Sequence, residues 1–443
     1  MKKFTKILLI GCLLVMVSCN NWLDVDPKSQ VKDKDLFASE MGFKEALSGV
    51  YSLMTKEGLY GKELTFGWLG VLGQEWTSVP YNYEDDQKYD FENAASEVRI
   101  DSVWTGLYNA IANANKLLKE LEGKENLFSG DNYSIIKGEV LALRAYLHFD
   151  LLRIFGARCA VGMERIAIPY VTEYAPTIFP QEKVGDFVGK VLKDLQDAAK
   201  CLENDPILTG RTVSEIDDNG YLMNRQVHLN YYAVKGLMAR VYLYKGDYAN
   251  AEVCAKEVIG SGCFEWVKQE NLTNESVADL TFSTEHLFAL NIVTLGNIVD
   301  KYLDGGNNSF ALEESRLSEY YGSSYDYRYL YLFKTGVGMS NTLRYLKKYD
   351  QLESVSWAQS YRNKLPLICL PEMYYILAEC RYHSSGDVLE PLNEVCRHRG
   401  VADLSEADLS AFETLLLAEY RKEVIGGGQL FFQYKRLNRS VVP

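Results

Sequence analysis

The sequence predicts a mostly α-helical protein: a stack of tetratricopeptide-like helix pairs, with an irregular, loop-rich subdomain and a few short strands. Three observations predict it. Apolar residues recur every three to four positions through five long stretches, the period of an amphipathic helix. Two of those stretches break at a Gly-Asp turn flanked by small residues, the pattern by which tetratricopeptide helices double back and pack closely. Two other segments, 59–92 and 265–365, carry Gly, aromatic and acidic residues with no sustained period.

The elements follow in chain order. Lys2, Lys3 and Lys6 precede an apolar run of 11 residues, Ile7 to Val17. That is too short for a membrane-spanning helix, which needs about 20, and right for the core of a secretory signal, about 7–15. Met16-Val17-Ser18-Cys19 resembles a bacterial lipobox, so residues 1–18 are expected to leave as a signal peptide and Cys19 to carry lipid. Residues 19–443 are then expected to form one domain, a helical-repeat scaffold with loop excursions near 59–92 and 265–365. The first helix is expected in "MGFKEALSGVYSLM" and the second in "VRIDSVWTGLYNAIANANKLLKELEG", where Trp104, Leu107, Ile111, Asn115 and Leu118 share a face. The third is "IIKGEVLALRAYLHFDLLRIFG", stopped by Gly156. Its Ala142 and Ala145 mark a weaker copy of the repeat. The fourth, "NYYAVKGLMARVYLYKGDYANAEVCAKEVIGSG", is a helix pair. Gly246 takes the left-handed turn, Ala239 and Ala251 let the helices approach, and Tyr248 fills the space near the turn. The fifth, "PEMYYILAECRYHSSGDVLEPLNEVCRHRG", repeats this about Ser385-Gly386-Asp387. Such pairs cannot bury their apolar faces alone and therefore stack.

Composition removes whole classes of function. The chain of 443 residues has a net charge of −13, and losing the three leader lysines makes it −16. A nucleic-acid binder needs a basic footprint, and none exists. No GxGxxG, P-loop, HExxH or GxSxG pattern occurs, so no catalytic residue, metal ligand or cofactor site is assigned. "IGGGQL" has neither a preceding strand nor a following Lys-Ser/Thr. His148 sits inside a helical pattern and reads as a packed residue. Beyond Cys12 and Cys19, seven cysteines remain, an odd number without a C-x-x-C pair, which argues against a disulfide framework or a zinc site. Tyrosine is abundant, at 31 residues. In "EYYGSSYDYRYLYLFK", Tyr327, Tyr329 and Tyr331 alternate with Arg328, Leu330 and Leu332, which suits a strand. Its rings either cover the helical stack or form a ligand platform, and Asp326 and Arg328 are placed to pair and fix the turn.

Binding residues usually sit on loops over a rigid scaffold. "WTSVPYNYED" supplies Trp76, Tyr81 and Tyr83 beside Asn82 in one irregular stretch, flat rings with polar groups around them, as a sugar's C–H faces and hydroxyls require. Tyr302 with Asn307, and Trp357, lie in two further irregular segments. These seven residues are the candidate ligand contacts. The competing reading of Trp76 is that it packs the loop down; Trp104, at helical spacing, reads as structural.

In this order the motifs resemble one family. The lipidated cysteine with "WLDVDP", then "EALSGVY", "VWTGLYNAIANANKLL", "GEVLALRAYLHFDLLRIFG" followed by "IPYVTEY", "SYDYRYLYLF", "LPLICLPEMYYILAEC", "LNEVCRHRGV" and "EYRKEVIGGGQLFFQYKR" resemble the SusD/RagB outer-membrane nutrient-uptake lipoproteins of Bacteroidetes. The chain departs from the pattern at Cys369, where Arg is common, at Pro371, a usual Ala, and at Gly427, where an acid usually precedes the Gly. The resemblance implies four helix pairs against an irregular loop region. It further implies a non-enzymatic protein, lipid-anchored in the outer membrane and facing outside, that binds oligosaccharide or polysaccharide. Such a protein feeds glycan to a TonB-dependent, SusC-like transporter as its lid. A surface assembly or adhesion scaffold and a surface glycosidase are the alternatives.

Overall fold

Ser39 starts the first long helix by accepting a hydrogen bond from the Gly42 amide at 3.3 Å, satisfying one of the donors a helix start leaves unpaired. The computed structural model describes residues 34–209, 220–274, 277–306, 308–336, 342–351 and 361–439. The 1–18 leader, Cys19, Asn307 and Trp357 lie outside them. The helices that build the body are α1 (Glu40–Met54), α2 (Ala94–Leu121), α3 (Asn132–Phe155), α4 (Val184–Cys201), α5 (Tyr231–Lys245) and α6 (Tyr248–Ile259). Later in the chain come α7 (Leu295–Tyr302), α8 (Glu314–Tyr321), α9 (Tyr327–Tyr331), α10 (Leu370–His383), α11 (Leu389–His398), α12 (Phe412–Val424) and α13 (Leu430–Arg436). Helix α1 packs on α2, α2 on α3, α3 on α4, α4 on α5, α5 on α6, α6 on α10 and α10 on α11. The four successive pairs are therefore α1/α2, α3/α4, α5/α6 and α10/α11. None of the helices among the described residues is long and apolar enough to cross a membrane.

The small positions and turns are where their chemistry puts them. Ala142, Ala145, Ala239 and Ala251 are wholly buried. Gly246 closes α5 at φ 83°, and Asp247 caps α6 through the Asn250 amide at 3.2 Å. In the last pair the left-handed residue is Ser385, at φ 58°, rather than Gly386. Tyr248 does pack at the turn, stacked 3.9 Å from the His383 ring. Because Ala251 has no free space beside it, Ala251→Leu is expected to overpack the α5/α6/α10 contact and cost about 1–3 kcal/mol; urea unfolding checks this.

Buried charges tie neighbouring elements together. The Arg144 guanidinium on α3 donates two 2.7 Å hydrogen bonds to Asp194 on α4. Asp150 accepts from Tyr60 at 2.7 Å and from Arg153. His148 is a packed residue: Nε2 accepts from the Val171 amide and Nδ1 faces the Arg144 carbonyl, both at 2.9 Å. Burial holds its pKa down at about 3, so it stays neutral. Trp104 is structural as well, its ring 5.1 Å from Phe155.

Short strands complete the irregular part. β1 (Ile166–Pro169) pairs with β2 (Gln181–Lys183). β3 (His286–Asn291) pairs antiparallel with β7 (Lys364–Cys369), and β4 (Leu312–Glu313), β6 (Leu343–Leu346) and β5 (Phe333–Thr335) form a three-stranded sheet in that order. Two expectations are corrected here. Tyr327, Tyr329 and Tyr331 lie on helix α9, not on a strand, because Asp326 caps it by accepting from the Arg328 amide at 2.9 Å. Asp326 also pairs with the Arg328 side chain, the pairing the sequence placed there. The stretch 59–92 is not a surface excursion throughout, since residues 59–73 are buried along their whole length.

Segments far apart in the sequence meet. The Gly426 amide donates to Glu75 at 2.7 Å, and Arg153 donates to Gln429 at 3.0 Å. Lys435 on α13 caps the carbonyls of Arg153 and Ile154 at the end of α3, each at 2.8 Å. Cys369 and Gly427, two of the three departures from the family pattern, line one small cavity.

Candidate functional site

The irregular stretches around residues 76–83 and 302–313 are distant in sequence and are brought together by backbone pairing. Ser78 and Ala311 exchange N–H···O bonds at 3.0 Å in both directions, and the Glu313 amide donates to the Thr77 hydroxyl at 2.7 Å. Below this seam lies Phe310, fully buried. The rings of Tyr83, Trp76 and Tyr302 surround it at centroid distances of 5.1, 5.9 and 6.4 Å. Such contacts are favourable beyond the area they bury.

This placement corrects the expected stacking role of two residues. Trp76 is 2% exposed, and its Nε1–H donates to the Phe66 carbonyl at 2.7 Å. Tyr83 is 1% exposed, with its hydroxyl on Glu63 at 2.8 Å. Neither ring has a face open to a sugar; both hold the loops down, and apolar burial is the reason. Tyr302 is buried too, at 9% exposed. Its hydroxyl donates to Glu57 at 2.9 Å, and the Lys62 ammonium lies 4.6 Å from the ring centroid. Lys301 also reaches Glu57, at 3.4 Å. The residues Glu57, Lys62 and Lys301 were not singled out from the sequence, and no local pattern there would have marked them.

Tyr81 and Asn82 stand apart. Tyr81 is 85% exposed, and Asn82 beside it is exposed as well. Their backbone is nevertheless fixed. Pro80 starts the 3-10 turn Tyr81–Tyr83 and accepts from the Tyr83 amide at 2.8 Å. Arg99 donates to the Asn82 carbonyl at 3.0 Å while its guanidinium covers the Tyr83 ring at 3.9 Å. A free aromatic face and a free carboxamide are thus held out from a base anchored by three buried rings. A pyranose could lay its C–H face on Tyr81 and exchange hydrogen bonds with Asn82.

Two open concavities lie elsewhere on the surface. One, of about 510 Å³, has Lys119, Lys137, Glu122 and Glu173 in its wall. The other, of about 450 Å³, lies between α1, the end of β3 and the start of α7.

A family model named SusD-like and described as "Starch-binding associating with outer membrane" matches residues 21–243, half of the chain. Among curated proteins, the chain is 25% identical over 269 residues to SusD-like protein P38 of Formosa agariphila, covering 60% of this chain and 47% of that protein. It is 26% identical over 167 residues to SusD-like protein P2 of the same organism, covering 35% and 30%. The matches thus span about half or less of these relatives. Solved structures share the fold over nearly the whole length. A SusD superfamily protein from Bacteroides thetaiotaomicron superposes with a TM-score of 0.71 at 21% identity, covering 90% of this chain and 89% of that one. The surface glycan-binding protein A from Bacteroides fluxus superposes with a TM-score of 0.66 at 17% identity, covering 90% and 89%.

Proposed function

Because the chain belongs to the SusD-like family, described as starch-binding and associated with the outer membrane, we propose that it captures glycan at the cell surface and hands it to a TonB-dependent, SusC-like transporter. In this reading Cys19 carries the lipid that holds it at the outer membrane, and it binds glycan without cleaving it. The observation that supports glycan capture most directly is the exposed Tyr81–Asn82 pair on its anchored turn. Stacking on one ring is worth about 1–1.5 kcal/mol by analogy with aromatic pairs, so Tyr81→Ala is expected to weaken binding of a maltooligosaccharide about tenfold. Calorimetry reads this, with circular dichroism to show that the variant folds. Full affinity in folded Tyr81→Ala protein would move the contact surface away from this turn. Delivery is tested by affinity purification of the full-length protein from membranes: a transporter barrel in the eluate supports it, and its consistent absence speaks for a stand-alone surface binder. Intact oligosaccharide after long incubation distinguishes binding from hydrolysis.

A further inference from the structure

The lining of the 450 Å³ groove carries no formal charge outside His228, and sets hydroxyls and an amide among Val227, Leu290 and Val293. From α1 come Ser48, Tyr51 and Ser52, and from the residue that ends it Thr55. This i, i+3, i+4, i+7 spacing puts three hydroxyls and a ring on one helix face, while Phe43, Leu47, Val50 and Met54 turn the other way into the core. Opposite them stand Asn291 and Thr294, and Val293 rises from the rim 70% exposed. None of the lining residues carries an Asp, Glu, Lys or Arg side chain, in contrast to the other open concavity.

The floor is built rather than incidental. His228 lines it, and the ring is fixed by the wholly buried Glu139, whose carboxylate faces Nδ1 at 2.8 Å. The same carboxylate accepts from the Tyr51 hydroxyl at 2.9 Å and from Arg225 at 2.6 Å. The Tyr51 ring meets the imidazole edge-on at 5.4 Å. With Nδ1 committed to Glu139, no described residue donates to or accepts from Nε2. That nitrogen accepts a hydrogen bond in the neutral ring and donates one in the charged ring. A hydroxyl, which both donates and accepts, satisfies it in either state; an anion or an ammonium satisfies only one. The volume lies in the range of ligand pockets, roughly 300–1,000 Å³.

We infer that this groove is a second binding site, separate from the Tyr81 turn, and that it takes a short neutral saccharide whose hydroxyls bond His228 Nε2, Asn291 and the α1 hydroxyls. The groove lies at the start of α7 and Tyr302, whose ring packs on Phe310 beneath the Tyr81 turn, at its end, about 12 Å along the helix at about 1.5 Å per residue.

The test uses ¹⁵N-histidine-labelled protein with signal assignment by His228→Gln. Maltotriose, cellotriose, xylotriose, mannotriose and a galactotriose are each titrated to millimolar concentration, with a trigalacturonate as the charged control. The expected result is that at least one neutral trisaccharide shifts the His228 Nε2 signal in the wild type and in Tyr81→Ala alike, and that trigalacturonate does not. Ser52→Trp and Val293→Trp, which fill the groove from exposed positions on opposite sides, should abolish that shift in folded protein. No shift with any neutral trisaccharide overturns the inference, as does a shift that persists in both tryptophan variants. A shift that vanishes in Tyr81→Ala also overturns it, because the groove would then not be a separate site. The His228 signal reads the groove and the calorimetric affinity of Tyr81→Ala reads the turn, so either proposal can fail while the other stands.

Discussion

Arg399→Met is expected to lower the unfolding free energy by about 3–5 kcal/mol, measured as a lower urea midpoint. Arg399 is completely buried. It donates to both Glu285 oxygens at 2.9 and 2.6 Å and to both Glu423 oxygens at 3.0 and 2.7 Å. Glu423 is shared with Arg328, which also holds Asp326 and Glu419. Burial by itself would push the Glu423 pKa up; the Arg399 and Arg328 charges outweigh it and hold the group at about 2. Without Arg399, Glu285 keeps its burial and loses its guanidinium. Methionine fills the volume but leaves that carboxylate uncompensated, which is the costly case. Adding Glu285→Gln to Arg399→Met should recover part of the loss. A double variant no more stable than the single would mean that the cost is one of packing alone.

Glu139→Ala should cost a similar amount, about 3–5 kcal/mol at neutral pH, and should also flatten the acid limb of the stability profile. Burial raises the Glu139 pKa, and the adjoining His228 and Arg225 more than reverse this, holding it at about 2 against an ordinary 4.5. A depressed carboxylate contributes stability that is fully present above its unfolded pKa and is lost as pH falls through the folded one. The window is therefore from about 4.5 down to about 2, and the span corresponds to about 3 kcal/mol. Urea midpoints of wild type and variant should converge across that window. Parallel curves would remove Glu139 from the linkage.

The helical body was legible in the sequence because its signals are local. Period 3.6, the capping Asp247 and the left-handed Gly246 all lie within a few residues of the structure they specify. The α9 segment was misread for a local reason too: five alternating residues fit a strand, whereas Asp326 directly before them is a helix-start signal that outweighs the alternation. The candidate site was legible only in part, because burial is a property of the assembled chain. Trp76 and Tyr83 sit in a loop-like stretch, yet Phe310, more than 220 residues later, closes over them; nothing near Trp76 announces that partner. Tyr81, in the same stretch, escapes because no ring among the described residues covers it. The groove hydroxyls on α1 carried a usable signal, the 48/51/52/55 spacing, which marks a polar stripe on an otherwise apolar helix.

The contact of Glu75 with Gly426 sets an order of events. Glu75 waits for Gly426 across 351 residues, while Tyr60 waits for Asp150 across only 90. Closing the longer loop costs little more, about 0.6 kcal/mol for each doubling of length, so the contact is thermodynamically inexpensive. In time it comes late. A chain emerging from the ribosome, or threading through an export channel, can assemble its first helix pairs early. The seat of Glu75 and the carbonyls at the end of α3 stay open until residues 426–435 have emerged, so the arrival of that segment is the step that latches the fold.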